Sequence, residues 1–214
     1  MRKVSEAFER KVGSFLSKED KTKLAFQLFL IACLGIASGV IFSKFVSAFF
    51  RASVEQAILI HFELPFRFVS ESIGWIVQIL RYAWDDVSLL FLLFLFSFTL
   101  LELPLSELIL LWQGGKLGFS VALLMQTAHS STVAFQLTFL KILSFILLHC
   151  VVLMTFLVYI FRGAQISFLI RSNKKGIRFF IEPALLLRLC VETLVVCGSV
   201  LLLYGIYCFV IFML

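Results

Sequence analysis

The stretch Leu24 to Ser43, LAFQLFLIACLGIASGVIFS, decides what kind of protein this is: twenty consecutive residues without a charged side chain. Twenty is the number a helix rising 1.5 Å per residue needs to cross a ~30 Å hydrocarbon core. The 23 residues before it carry seven basic groups and four acidic ones. A cleavable signal peptide has a shorter apolar core and a shorter leader. This segment is therefore expected to stay as a first transmembrane helix, although Val46-Ser47-Ala48 has some likeness to a cleavage site.

Outward from that helix the chain repeats the theme. Val87 to Leu101 is apolar apart from Ser88, Ser97 and Thr99, and Glu102-Leu103-Pro104 then places a proline where its missing N–H and its ring would stop or kink a helix. Leu105 to Thr127 is long enough to cross but is interrupted by Trp112-Gln113-Gly114-Gly115-Lys116; further runs cover Lys141 to Phe161 and Thr193 to Phe212. Over all 214 residues 61% are hydrophobic and 15% charged, against roughly 45–50% and 25% in a soluble domain. That excludes a water-soluble globule and leaves no room for a large separate catalytic domain. The expected fold is all-α: one polytopic membrane domain, 1–214, with spans at 24–43, 87–101, 105–127, 141–161 and 193–212.

Charge placement sets the expected orientation. Residues 44–86 hold four bases and five acids, whereas residues 162–192 hold Arg162, Arg171, Lys174, Lys175, Arg178 and Arg188 against Glu182 and Glu192. By the positive-inside rule the basic N-terminus 1–23 and loop 162–192 are cytoplasmic, and 44–86, the turn 128–140 and the C-terminus are extracytoplasmic. Five crossings give the same answer. Within the outer loop Phe66, Val69, Ile73, Val77, Leu80 and Trp84 recur at steps of three and four. That spacing predicts an amphipathic helix, lying on the outer surface or packed on the bundle.

Chemistry-bearing residues are few. The sequence has no H-E-x-x-H, no G-x-S-x-G and no P-loop, so the common membrane protease, hydrolase and nucleotidase signatures are missing, and no enzyme activity is expected. His61, His129 and His149 lack ligand spacing, and Cys33, Cys150, Cys190, Cys197 and Cys208 lie in or beside apolar runs. No metal or other cofactor is expected, nor a nucleic-acid partner. Ionisable groups at membrane depth are costly and by default mark candidate functional sites, which singles out Glu102, Glu107, Lys116 and His149. Lys141 can snorkel to the outer interface. Glu107 and Lys116 would face opposite sides of one helix about 13 Å apart along its axis, which argues against a direct pair. They either meet other helices and interfaces or line a path.

Packing signals are stronger. Gly35, Gly39 and Ser43 recur every four residues in the first span, as do Gly114, Gly118 and Ala122 in the third. Small residues at that period let helix backbones approach closely, within the chain or against another protein, a second copy included.

The stretch LPLSELILLWQGGKLGFSVALL, residues 103–124, resembles the central segment of the stage II sporulation protein M family: Leu103-Pro104, nine residues, Gly114, then Gly118-Phe119. The layout of spans and basic loops is also similar, although the proline- and asparagine-containing break of the family's fourth span is absent from Lys141-Ile142-Leu143-Ser144. The resemblance implies a non-enzymatic scaffold in the cell membrane of an endospore-forming bacterium. Its implied partners are the cell-wall hydrolases called stage II sporulation proteins D and P, held in place during engulfment. The competing expectation is a small permease subunit whose path is lined by the Pro104 region, Glu107 and Lys116.

Overall fold

The computed structural model describes residues 18–46, 72–97, 99, 102–130, 135–172 and 183–213, and among these residues the only regular elements are five α-helices. They are α1 (Lys18–Phe45), α2 (Ser72–Phe96), α3 (Glu102–Ser130), α4 (Phe135–Ser172) and α5 (Pro183–Met213). The N-terminal residues up to 17, the part of the outer loop from 47 to 71 with Phe66 and Val69, and residues 173–182 of the basic loop lie outside the described residues.

Among the described residues four helices are long and apolar enough to cross a membrane, over Glu19–Phe45, Glu102–Met125, Ile142–Ser167 and Leu187–Val210. The chain is a multi-pass membrane protein. Large apolar side chains point outward along every helix, Phe42, Trp84, Trp112, Val158 and Leu194 among them, each more than half exposed. Water does not tolerate such a surface at this scale, and lipid does. Away from its ends each helix satisfies its own backbone groups, as hydrocarbon requires.

The core follows from i, i+4 spacing, which stacks side chains on one helix face. On α4, Leu148, Val152, Phe156, Ile160 and Ala164 form a buried column, faced on α5 by Val200 and Tyr204 and on α2 by Ala83, Leu90 and Leu93. Helix α3 is the most enclosed: 44% of its span is buried, against 22–28% for the spans of α1, α4 and α5. Its tightest neighbour is α1. The two run parallel, since Gln27 meets Glu107 near their starts and Gly39 meets Phe119 farther along. Helices α4 and α5 are antiparallel, joined by Tyr159–Thr193 towards one end and His149–Tyr204 towards the other.

The helices depart from the sequence boundaries in instructive ways. The segment 72–96 is a single helix, running through residue 86, where the expected outer loop gives way to the second span, and stopping before Leu101. Any eighteen consecutive residues of α2 include Arg81, Asp85 and Asp86. Those charges set α2 apart from the four apolar spans by composition. Pro104 sits in the first turn of α3, where its missing N–H has no intrahelical acceptor to lose, so the helix starts at Glu102 and not after the proline. Pro183 opens α5 in the same manner. The basic loop expected over 162–192 is largely helical: α4 continues to Ser172 and α5 is under way from Pro183.

Candidate functional site

Asp86 is the centre of the best-defined polar cluster in the bundle. Ala83, Asp86, Leu90, Leu93 and Ser97 follow one another at steps of three and four on α2, and all are buried. Asp86 thus occupies a core position between apolar neighbours, with its side chain 1% exposed. Three donors meet it. Gln113 Nε2 of α3 donates to Oδ1 at 2.8 Å, and the Tyr204 hydroxyl of α5 donates to Oδ2 at 2.5 Å. Lys116 Nζ, also from α3, lies 3.4 Å from Oδ1 and forms the ion pair. A buried carboxylate is tolerable when its charge is paired and both oxygens are hydrogen-bonded, and Asp86 meets both conditions. Helix α4 joins at one remove, through the His149 ring, edge-on to Tyr204 with centroids 6.3 Å apart. One carboxylate therefore ties α2 to α3 and α5.

The sequence-level candidates divide among different places. Lys116 belongs to this cluster, and its side chain is one-third exposed, because its stem also borders a groove between α1 and α3. Glu107 does not join it. Its Oε1 accepts a 2.6 Å hydrogen bond from Gln27 Nε2 of α1. The two groups expected to face opposite ways do have different partners. His149 hydrogen-bonds through Nδ1 to the Phe145 carbonyl one turn back, at 3.0 Å. Glu102 is buried at the start of α3, about 21 Å along the helix from the mid-helix Lys116 at 1.5 Å per residue. The side chains of Lys141 and His129 and the whole of His61 lie outside the described residues.

The two glycine stripes face each other. A Cβ on Gly114 would lie 2.6 Å from the Ala32 carbonyl oxygen, one on Gly35 2.5 Å from that of Leu111, and one on Gly39 2.8 Å from the Phe119 amide nitrogen. Gly118 is backed by Ile36 in the same way, its Cβ position 3.0 Å from the Ile36 Cα. Ser43 ends the stripe, buried and donating to the Val40 carbonyl at 2.7 Å. Ala122, half-buried, continues the α3 side, and the Phe119 ring tilts against Phe42 at 6.0 Å. Leu103 packs on the core, while Pro104 is exposed.

Beside this contact runs a groove of about 620 Å³ lined chiefly by Phe42, Leu108, Leu111, Trp112, Lys116 and Phe119. Farther along, Glu192 of α5 accepts from Arg162 of α4 at 3.1 Å and from Arg188 at 3.0 Å. The Arg188–Glu192 contact is the i, i+4 pair that the spacing anticipates. Among the described residues no group of three or more His, Cys, Asp or Glu side chains converges to hold a metal.

The chain matches no family model, no curated protein and no solved structure. The sequence reading missed Asp86, Gln113 and Tyr204: it left Asp86 in the outer loop because its charge broke the apolar run. The signal that finds it is register, since Asp86 falls in step with Ala83, Leu90, Leu93 and Ser97.

Proposed function

We propose that this protein is a non-enzymatic membrane scaffold of the stage II sporulation protein M kind. It holds peptidoglycan hydrolases, stage II sporulation proteins D and P, at the cell membrane during engulfment. The observation that carries the reading is how the polar groups at membrane depth are used. Asp86 is held by Gln113, Lys116 and Tyr204, and Glu107 by Gln27. Each bond joins two helices, and the glycine stripes are spent on the α1–α3 contact. Such cross-links favour one fixed arrangement of helices, which suits a platform for other proteins.

In this reading α2 is the fifth crossing. Its exposed charges Arg81 and Asp85 belong to the outer interface, and Asp86 is neutralised inside the bundle. The N-terminus is cytoplasmic and the C-terminus extracytoplasmic. The chain leading into α2 belongs to the outer surface, and partner contacts are sought in the part of the loop 44–86 that precedes the crossing.

The second reading, a permease subunit, draws on the Lys116–Asp86 pair, because an ion pair at membrane depth is also what a coupled pathway contains. Two experiments separate them. Mild-detergent capture of the tagged full chain from sporulating cells should recover wall hydrolases, and recovery of an ATPase instead would favour a permease. Glu107→Gln keeps an acceptor for Gln27 and should leave capture and engulfment unchanged. Loss of function in Glu107→Gln with all partners still bound would count against the scaffold.

A further inference from the structure

Glu102 presents a different problem from Asp86. It is 1% exposed at the first position of α3, and its Oε2 has no hydrogen-bond partner, the one buried side-chain oxygen or nitrogen among the described residues left in that state. Its other oxygen points at α4, where a Cβ on Gly163 would lie 2.5 Å from Glu102 Oε1 and 2.8 Å from Ser97 Oγ. The absence of a side chain at Gly163 is what lets these oxygens in. One turn farther along α4, Ser167 Oγ donates to the Thr99 carbonyl at 3.2 Å. The surroundings are thus oxygens from the end of α2, the turn after it and the small-residue face of α4.

No cation answers the carboxylate among the described residues. On α4, Arg162 is next to Gly163 but turns to Glu192, as does Arg188 of α5. On α1, Lys23 pairs with Glu19, and on α3, Glu107 is engaged with Gln27. The partial positive charge of the α3 N-terminus favours a carboxylate there, yet it supplies no donor to Oε2. A charged carboxylate removed from water without a partner is among the costliest arrangements in a protein. A lone carboxylate with hydroxyl and carbonyl oxygens suits a single positive charge, since divalent ions call for more carboxylates or several retained waters.

We propose that Glu102, with Ser97 and the Gly163 face of α4, is a binding site for one monovalent cation, a proton or a sodium ion. It closes the end of the bundle where the α2–α3 turn meets α4. Cation binding joins the turn to α4, and its loss leaves a bare negative charge that pushes them apart. The site is independent of the scaffold reading: it lies at the start of α3, away from the mid-helix Asp86 cluster, and needs no partner protein.

The test uses the purified full chain in detergent, unfolded thermally at constant ionic strength, with choline replacing sodium. A proton site predicts that stability falls as pH rises, the folding equilibrium shifting by up to about tenfold per pH unit through the ionisation of Glu102. A sodium site predicts a rise with NaCl, about 100-fold in the folding equilibrium at 100 times Kd, with KCl weaker. In Glu102→Gln, which carries a neutral amide in the same volume, the sodium dependence must vanish or the pH dependence must flatten by the Glu102 contribution. Infrared spectra separate the arms: a protonated-carboxyl band present in the wild type and absent from Glu102→Gln identifies the proton. Gly163→Ala is the second variant. Its methyl displaces the ends of two flexible side chains and leaves the helix backbones in place, so it should fold and show a weakened dependence even if Glu102→Gln does not accumulate. The proposal is overturned if the wild type responds to neither pH nor sodium, or if Glu102→Gln or Gly163→Ala responds as the wild type does.

Discussion

Three neighbouring glycines of α3 should respond in opposite directions to the same substitution. A methyl on Gly114 would sit 2.6 Å from the Ala32 carbonyl oxygen, against 3.4 Å for ordinary van der Waals contact, so α1 and α3 must part by most of an ångström. Because the atom met is backbone, no rotamer change relieves it, and the cost belongs at the upper end of the overpacking range, about 3 kcal/mol. Gly118→Ala meets the Ile36 backbone and should cost a similar amount. Gly115→Ala meets nothing nearer than the Gly35 carbonyl oxygen at 3.7 Å. There the gain in helix propensity, about 0.5–1 kcal/mol, is the main effect, and the variant should be as stable as the parent or more so. Both clashes are relieved by the same helix separation. The double variant Gly114→Ala/Gly118→Ala should therefore cost clearly less than the two single costs together. Reversible unfolding of the purified chain in mixed detergent, followed by circular dichroism, measures all four. Equal destabilisation by Gly115→Ala and Gly114→Ala, or strict additivity of the double variant, would refute the stripe-on-stripe contact.

Three further predictions concern charges. Asp86→Ala strands the Lys116 ammonium and the donors of Gln113 and Tyr204, and should cost about 3–5 kcal/mol, as removal of one partner from a buried pair does. Lys116→Met leaves the buried Asp86 carboxylate without its counter-charge, though still hydrogen-bonded by Gln113 and Tyr204, and should cost about 2–3 kcal/mol in the parent and nothing once Asp86 is gone. A double-mutant cycle in the unfolding assay checks both. Glu192→Gln loosens the contacts to Arg162 and Arg188 at the α4–α5 end. Since Arg162 is about half exposed, the loss should be about 1 kcal/mol at low salt and shrink as ionic strength rises, which a salt series of unfolding midpoints measures.

How much of the site was legible depends on whether a residue's role is set along its own helix or across to another. Gly35 and Gly39, like Gly114 and Gly118, announce a close-packed face by their four-residue period. That the two faces meet each other depends on α1 and α3 being parallel neighbours, a relation no local period carries. The separate environments of Glu107 and Lys116 were also readable, because helical geometry alone places them on opposite sides. Asp86 was misplaced for the opposite reason. Judged by its own chemistry it belongs in water, and only donors from residues 113, 116 and 204, far along the chain, make its burial tolerable. Glu102 was legible as an ionisable group at membrane depth, but its isolation was not, because that depends on Arg162 turning to Glu192.

The sequence by itself determined that this is a membrane protein made of helices, where its apolar runs lie, and which faces carry small residues. These properties follow from transfer of side chains into hydrocarbon and from the 3.6-residue repeat, both of which act within a single segment. Only the tertiary structure decided that residues 72–96 form one helix through a buried aspartate, that the glycine stripes close on each other, and that one glutamate is buried with an oxygen unpaired. Each of those depends on which groups other helices bring within a few ångströms, and at that range a buried charge is either satisfied or left bare.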